Sequence, residues 1–127
     1  MTNSIKIGLI GYGYWGKNLV RNLYELNSLS AICDSSADNL DASKKLYPDI
    51  NYFNNIDDFL KSDIEAVVIA TPAVSHASLV RRGLNANKHI FVEKPLCLNK
   101  KEGNDLRELA NKKGLKLMVG HLLLYHP

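Results

Sequence analysis

The sequence predicts an α/β fold: a doubly wound, mostly parallel six-stranded sheet with helices on both faces. Three observations carry that prediction. Short apolar runs alternate along the chain with stretches whose apolar residues recur at helical spacing, the pattern of βαβ units joined by right-handed crossovers. A Gly-x-Gly-x-x-Gly loop follows the first run and opens the first helical stretch. The chain has 127 residues, which suits one domain and is enough to bury a core without disulfide or metal staples.

Each element follows from local pattern. Ile5 to Ile10 is a short apolar run stopped by a glycine and reads as a buried parallel strand. Leu19, Val20, Leu23 and Leu26 recur at helical spacing, which predicts a helix over Tyr14 to Asn27. Leu29 to Cys33 is a second strand that ends at Asp34. Ala37, Leu40 and Tyr47 mark one face of a second helix, stopped by Pro48. Tyr52-Phe53 is a short third strand, and Ile56, Phe59 and Leu60 a brief helix with Asp57 and Asp58 in its favourable first turn. Ala66 to Ala70, β-branched and uncharged, is the strongest strand signal. Ala77, Val80 and Leu84 give the next helix, and Asn87 suits a left-handed residue after its end. His89 to Val92 is a strand. Asn99 to Lys113 is a helix with Asn99 as cap, Glu102 three residues on and Gly114 beyond it, and Leu117 to Gly120 is the last strand.

Composition excludes several classes. Hydrophobic residues make up 46% and charged residues 23%, the balance of a folded soluble domain rather than a disordered one. A net charge of +3 is too small to indicate a nucleic-acid partner without a clustered basic face. Lys100-Lys101 and Lys112-Lys113 read as solvated helix ends. The 2 cysteines, Cys33 and Cys97, lack metal-ligand spacing and make no disulfide framework. No targeting segment is visible, and no run approaches the ~18 apolar residues of a membrane helix. A cytoplasmic setting, with neither membrane nor metal involved, is the expectation.

The loop Gly11-Tyr12-Gly13-Tyr14-Trp15-Gly16 stands after a predicted strand and before a predicted helix, the context of a dinucleotide-binding Rossmann domain. Gly11 allows a tight turn, Gly13 lets the backbone approach a pyrophosphate, and Gly16 lets the helix pack close to the strand. N–H groups of the first helical turn, including those of Tyr14 and Trp15, then point at the phosphates. Asp34 follows the motif at close to the expected spacing of about 20 residues. There its carboxylate accepts from the adenosine ribose, with Ser35 beside it, and repels a 2′-phosphate. No Arg follows in Ser35 to Asp38, so NAD is favoured over NADP. Asp34 also reads as a cap for the following helix. The same glycine pattern serves S-adenosylmethionine-binding folds; the sequence beyond the fourth strand argues against them.

Thr71-Pro72-Ala73-Val74-Ser75-His76, then Gly83 to His89, then Phe91-Val92-Glu93-Lys94-Pro95-Leu96 form a series that resembles the Gfo/Idh/MocA family of oxidoreductases, along the whole chain. Within it, the ending Met118 to Pro127 looks most like the 3-dehydrogenases of UDP-N-acetyl amino-sugar uronic acids. The resemblance implies an NAD-dependent hydride transfer at a sugar or nucleotide-sugar hydroxyl. It places Thr71 and Pro72 on the nicotinamide side of the cofactor, His76 facing the same pocket and Glu93 at the nicotinamide ribose. It gives Lys94 contact with the nicotinamide and the catalytic role of helping to move the hydroxyl proton. It also implies a cis Lys94–Pro95 bond, which proline makes inexpensive at about 0.5–1 kcal/mol. Without the family, His76 reads as a helix-terminal histidine and Lys94 as a solvated lysine. His121, after the last strand, is a further candidate for the pocket. Asn87 stands where the family commonly has glycine and meets the same backbone demand.

Family members carry a second α/β domain with an open antiparallel sheet, which supplies much of the sugar pocket. The expectation is therefore a NAD-binding domain over residues 1–121 and, in 122–127, the start of a connection to a substrate domain absent from this sequence. Two classes stay open: part of an oxidoreductase, or a dinucleotide-binding module without turnover. Leu122-Leu123-Leu124-Tyr125, if uncovered, favours self-association and a homo-oligomer.

Overall fold

A computed structural model describes residues 4–120. His121 and the apolar run that follows it, with the expectations attached to them, lie outside the described residues. The apolar runs form six strands, β1 (Ile7–Ile10), β2 (Leu29–Cys33), β3 (Asn51–Phe53), β4 (Ala66–Ile69), β5 (His89–Glu93) and β6 (Leu117–Gly120). They make one sheet in the order β3-β2-β1-β4-β5-β6. Every pairing is parallel, so the sheet is fully and not merely mostly parallel.

The helices are α1 (Tyr14–Glu25), α2 (Ala37–Leu46), α3 (Ile56–Lys61), α4 (His76–Asn85) and α5 (Lys100–Lys113), with a 3₁₀ turn over Ala73–Ser75 before α4. Side chains alternate across the sheet, and the core divides accordingly. Leu9, Ile32 and Val68 join Val20 of α1 and Leu40 of α2 in one cluster. Ile10, Cys33, Val67 and Ile69 join Phe59 of α3, Val80 and Leu84 of α4 and Leu106 of α5 in the other. Two helices thus cover one face and three the other. That explains why the central strands read as unbroken apolar runs: they are buried on both sides.

Helix ends follow side-chain chemistry. Ser36, Asn55 and Asn99 cap α2, α3 and α5, accepting from Asn39 N, Asp58 N and Glu102 N at 3.2, 3.1 and 2.8 Å. Asn87 and Gly114 take the left-handed conformation expected of them, with φ of 63° and 68°. Asn27 does the same at φ 58°, which is why α1 stops at Glu25 instead of running to Asn27. β1 starts at Ile7 rather than Ile5, because Ile5 is exposed and Lys6 turns outward to Asp63. Among the described residues no helix is long and apolar enough to cross a membrane.

Both cysteines are free. Burial pushes the Cys33 thiol up to about 11, with the Asp34 charge adding to it and Arg82 opposing it. Iodoacetamide at neutral pH is therefore expected to label Cys97 and spare Cys33, because the thiolate is the nucleophile. Peptide mass mapping checks this; equal labelling of both would show that the β2 end opens readily.

Candidate functional site

One rung of the sheet sets the site. Ile10 of β1 pairs with Cys33 of β2 and Ile69 of β4, and Ile69 pairs with Val92 of β5. The strands therefore end level, and their next residues emerge side by side: Gly11, Asp34, Ala70-Thr71 and Glu93-Lys94. β1 and β4 are adjacent although the chain leaves them toward opposite faces. Such a switch point opens a crevice at the strands' C-terminal ends.

The glycine loop lies across it. Gly11 N donates to Cys33 O at 2.9 Å, and Ala70 N to Ile10 O at 2.9 Å. Gly11 has φ +100°, and a Cβ there would come 2.7 Å from Ala70 O, so conformation and space both require glycine. A Cβ on Gly16 would be driven into Gly11 O, whereas one on Gly13 would meet nothing within 4 Å. Tyr12 turns inward, 3% exposed, and burial, with Tyr47 adding to it, raises its phenol above the ordinary value. Gly13 caps α1 without a side-chain hydrogen bond. The helix's backbone ladder begins at Lys17 N to Gly13 O, 3.0 Å, so the N–H groups of Tyr14, Trp15 and Gly16 start the helix without helical acceptors. The Tyr14 side chain is 89% exposed; only its backbone faces this task.

Asp34 is held from three directions. Oδ2 accepts from Tyr12 N at 2.7 Å and Asn39 Nδ2 at 3.2 Å, and Oδ1 accepts from Ser36 N at 2.8 Å. The expectation that Asp34 caps α2 is corrected: Ser36 is the cap, and Asp34 is turned back to Tyr12 N of the glycine loop. A carboxylate has about four acceptor positions. Three are filled here, leaving one on Oδ1, which fits a ribose hydroxyl.

On the other side, Trp15 Nε1 donates to Glu93 Oε1 at 2.8 Å, joining α1 to the end of β5. Thr71 Oγ1 and Ser75 Oγ are 2.6 Å apart, and Ser75 Oγ donates to Pro72 O at 2.8 Å. The Lys94–Pro95 bond is cis. His76 is buried, and its ring nitrogens face Pro95 O and Thr71 O. It lines the pocket, but its ring nitrogens are turned to the main chain.

Two cavities meet at Ala70 and Thr71. One, about 540 Å³, is lined by Gly11, Gly13, Asp34, Ser35, Thr71 and Pro72 among others. The second, about 370 Å³, is lined by Trp15, Thr71, His76, Glu93 and Lys94 with Ala70 and Ala73. Both volumes fall in the ~300–1,000 Å³ range of small-molecule sites. A third cavity of about 560 Å³ lies under α5 and β6 and takes no residue from the glycine loop. Volume alone does not choose the site; converging polar groups do. Asn39 and Asn54 also line the first cavity and escaped the sequence reading. A signal existed for Asn39, which stands three residues past the Ser36 cap on the first turn of α2.

The arrangement suits an elongated ligand: free N–H groups at the start of α1 for an anionic middle, an acceptor position on Asp34 at one end, and Thr71, Glu93 and Lys94 at the other. The family profile described as "Oxidoreductase family, NAD-binding Rossmann fold" matches residues 5–121. Scyllo-inositol dehydrogenase from Lactobacillus casei, solved with NAD(H) and scyllo-inositol, superposes with a TM-score of 0.89 at 29% identity over 98% of this chain and 38% of that one. The WlbA dehydrogenase from Bordetella pertussis, in complex with NADH and UDP-GlcNAcA, gives 0.86 at 25% identity over 93% and 36%. A variant of KijD10, a 3-ketoreductase from Actinomadura kijaniata solved with TDP-benzene and NADP, gives 0.88 at 28% identity over 98% and 39%. Against curated relatives the chain spans between 20% and 39% of their length.

Proposed function

The chain belongs to the Gfo/Idh/MocA oxidoreductases, whose NAD-binding Rossmann fold it carries, and from that premise we propose that it forms the cofactor-binding part, residues 1–121, of a dehydrogenase for a sugar or nucleotide-sugar hydroxyl. One observation supports this above the others. A single rung of strand ends delivers the glycine loop, Asp34, Thr71 and Glu93-Lys94 along two joined cavities.

In this reading the N–H groups of Tyr14, Trp15 and Gly16 bind the pyrophosphate with the favourable end of the α1 dipole. Asp34 accepts from the adenosine ribose with its remaining lone pair. Its negative charge disfavours a 2′-phosphate, which supports NAD over NADP. Trp15, Thr71 and Glu93 border the nicotinamide half, and Pro72 lines the adjoining Asp34 cavity. When bound, NAD supplies the hydride acceptor. Lys94 receives or relays the hydroxyl proton as the carbinol is oxidised and returns it in the reverse direction. The B. pertussis complex supports a UDP-linked N-acetyl amino-sugar uronic acid as the substrate class. A cytoplasmic setting goes with this reading, as does a homo-oligomer.

Trp15 is the sole tryptophan and lines the cavity, so it reports occupancy directly. Titration with NADH is expected to quench Trp15 fluorescence and sensitise nicotinamide emission, and excess NAD is expected to abolish the sensitised emission. A titration that gives neither signal up to millimolar NADH would overturn the cofactor assignment. The chain by itself is expected to bind without producing NADH from nucleotide sugars; turnover by it would show that its own residues complete the substrate pocket.

A further inference from the structure

His76 is only 1% exposed, yet each of its ring nitrogens lies within hydrogen-bond distance of a main-chain carbonyl. Nδ1 lies 2.7 Å from Pro95 O and Nε2 2.7 Å from Thr71 O. Those carbonyls belong to two different loops. Thr71 follows β4 and lines both cavities. Pro95 follows Lys94 at the end of β5, and Lys94 lines the second cavity. The imidazole therefore spans, as one rigid ring, the two loops that contribute Thr71 and Lys94 to the nicotinamide-side cavity. Both partners are acceptors, so a neutral ring satisfies one of them and an imidazolium both. The ring is shut off from water, so an N–H of His76 left without its carbonyl would be costly, which ties the separation of the loops to the ring between them. A helix-terminal histidine needed only for α4 would bond within α4 or to solvent. This one bonds across to β5's loop, 19 positions away in sequence.

We propose that His76 is a positioning residue: it brackets the Thr71 loop to the Lys94-Pro95 loop and so fixes Lys94 and Glu93 at the spacing a nicotinamide requires. The proposal rests on the NAD reading for its ligand but not for its mechanics. It differs from a direct cofactor contact, because the polar atoms of the ring are consumed by the protein. The bracket acts only on one half of the site. The adenosine half is held by Asp34, Tyr12 and Asn39, with no part taken by His76.

Two measurements on the chain test it, each with His76→Ala. Hydrogen exchange read by mass spectrometry, without ligand, is expected to speed up together in the peptides over 71–75 and 94–98, while the peptide over 11–16 and Asp34 is unchanged. Fluorescence titration is expected to show NADH affinity lowered by about tenfold, the scale of a lost hydrogen-bonded restraint. ADP-ribose, which lacks nicotinamide, should bind within twofold of the unsubstituted chain, on the scale of the RT term. Uncoupled exchange in the two loops, or equal loss of both ligands, would overturn the bracket. Failure of the unsubstituted chain to bind either ligand would sink the cofactor reading instead, and the exchange result would still decide the bracket. Should His76→Ala not fold, His76→Leu, which keeps a similar volume without a donor, carries the same comparison.

Discussion

Gly16→Ala is expected to unfold more easily and to lose NADH, while Gly13→Ala loses NADH alone. The contrast follows from what each new methyl meets. At Gly16 the Cβ is driven into the Gly11 carbonyl oxygen. That atom is backbone, in a residue whose N–H donates to Cys33 O and whose turn is left-handed. It cannot yield as a side chain would, so α1 must lift from β1. Overpacking of this kind costs about 3 kcal/mol, which lowers Tm by roughly 10 °C for a domain of this size. At Gly13 the backbone is extended, φ −88° and ψ −162°, a conformation open to any residue. A Cβ there meets nothing within 4 Å. Neither conformation nor packing within the protein therefore asks for glycine. A ligand lying on the loop does ask for it, and a methyl forced against that ligand costs about 1–3 kcal/mol, up to roughly a hundredfold in affinity. Melting curves and NADH titration of both variants check the pair. Unchanged NADH affinity in Gly13→Ala would mean that no pyrophosphate passes over that loop.

The same residues show what the sequence made legible. The order and type of the elements were readable because each rests on local chemistry: β-branched runs, the cap at Asn99, and Asn87 and Gly114 after helix ends; the caps at Ser36 and Asn55 came to light only in the structure. Asp34 was readable by its spacing from the glycine loop. Its partners were not, since Tyr12 contributes a backbone N–H, and every non-proline residue has one. Tyr12 itself stands at a variable position of the motif and shows no sign in sequence that its ring is core. The Trp15–Glu93 hydrogen bond joins residues 78 positions apart, and only the level ends of β1, β4 and β5 bring them together. His76 was readable as a pocket neighbour by resemblance, but its role as a link between loops was not. Its two acceptors are main-chain carbonyls, which carry no residue identity.

Asp34→Ala gives the other large effect, and it acts in two ways at once. The substitution removes the acceptor for the adenosine ribose. It also releases Tyr12 N, Ser36 N and Asn39 Nδ2, the three donors that hold the carboxylate against the glycine loop. Hydrogen bonds to a charged group contribute about 1.5–3 kcal/mol each, so NADH affinity is expected to fall by about ten- to a hundredfold. NADPH affinity should fall less, because the negative charge that repels a 2′-phosphate leaves with the side chain; the preference between the two cofactors should narrow. Fragments separate the two effects. Nicotinamide mononucleotide does not reach Asp34, so a change in its binding would measure slackening of the loop, while AMP reports the ribose contact. Asp34→Asn removes the charge and keeps one acceptor oxygen. It should narrow the cofactor preference with a smaller loss of NADH affinity than alanine causes. If both variants keep the full preference for NADH, charge at position 34 does not set it, and the discrimination must come from the shape of the cavity around Ser35, Ser36 and Asn39.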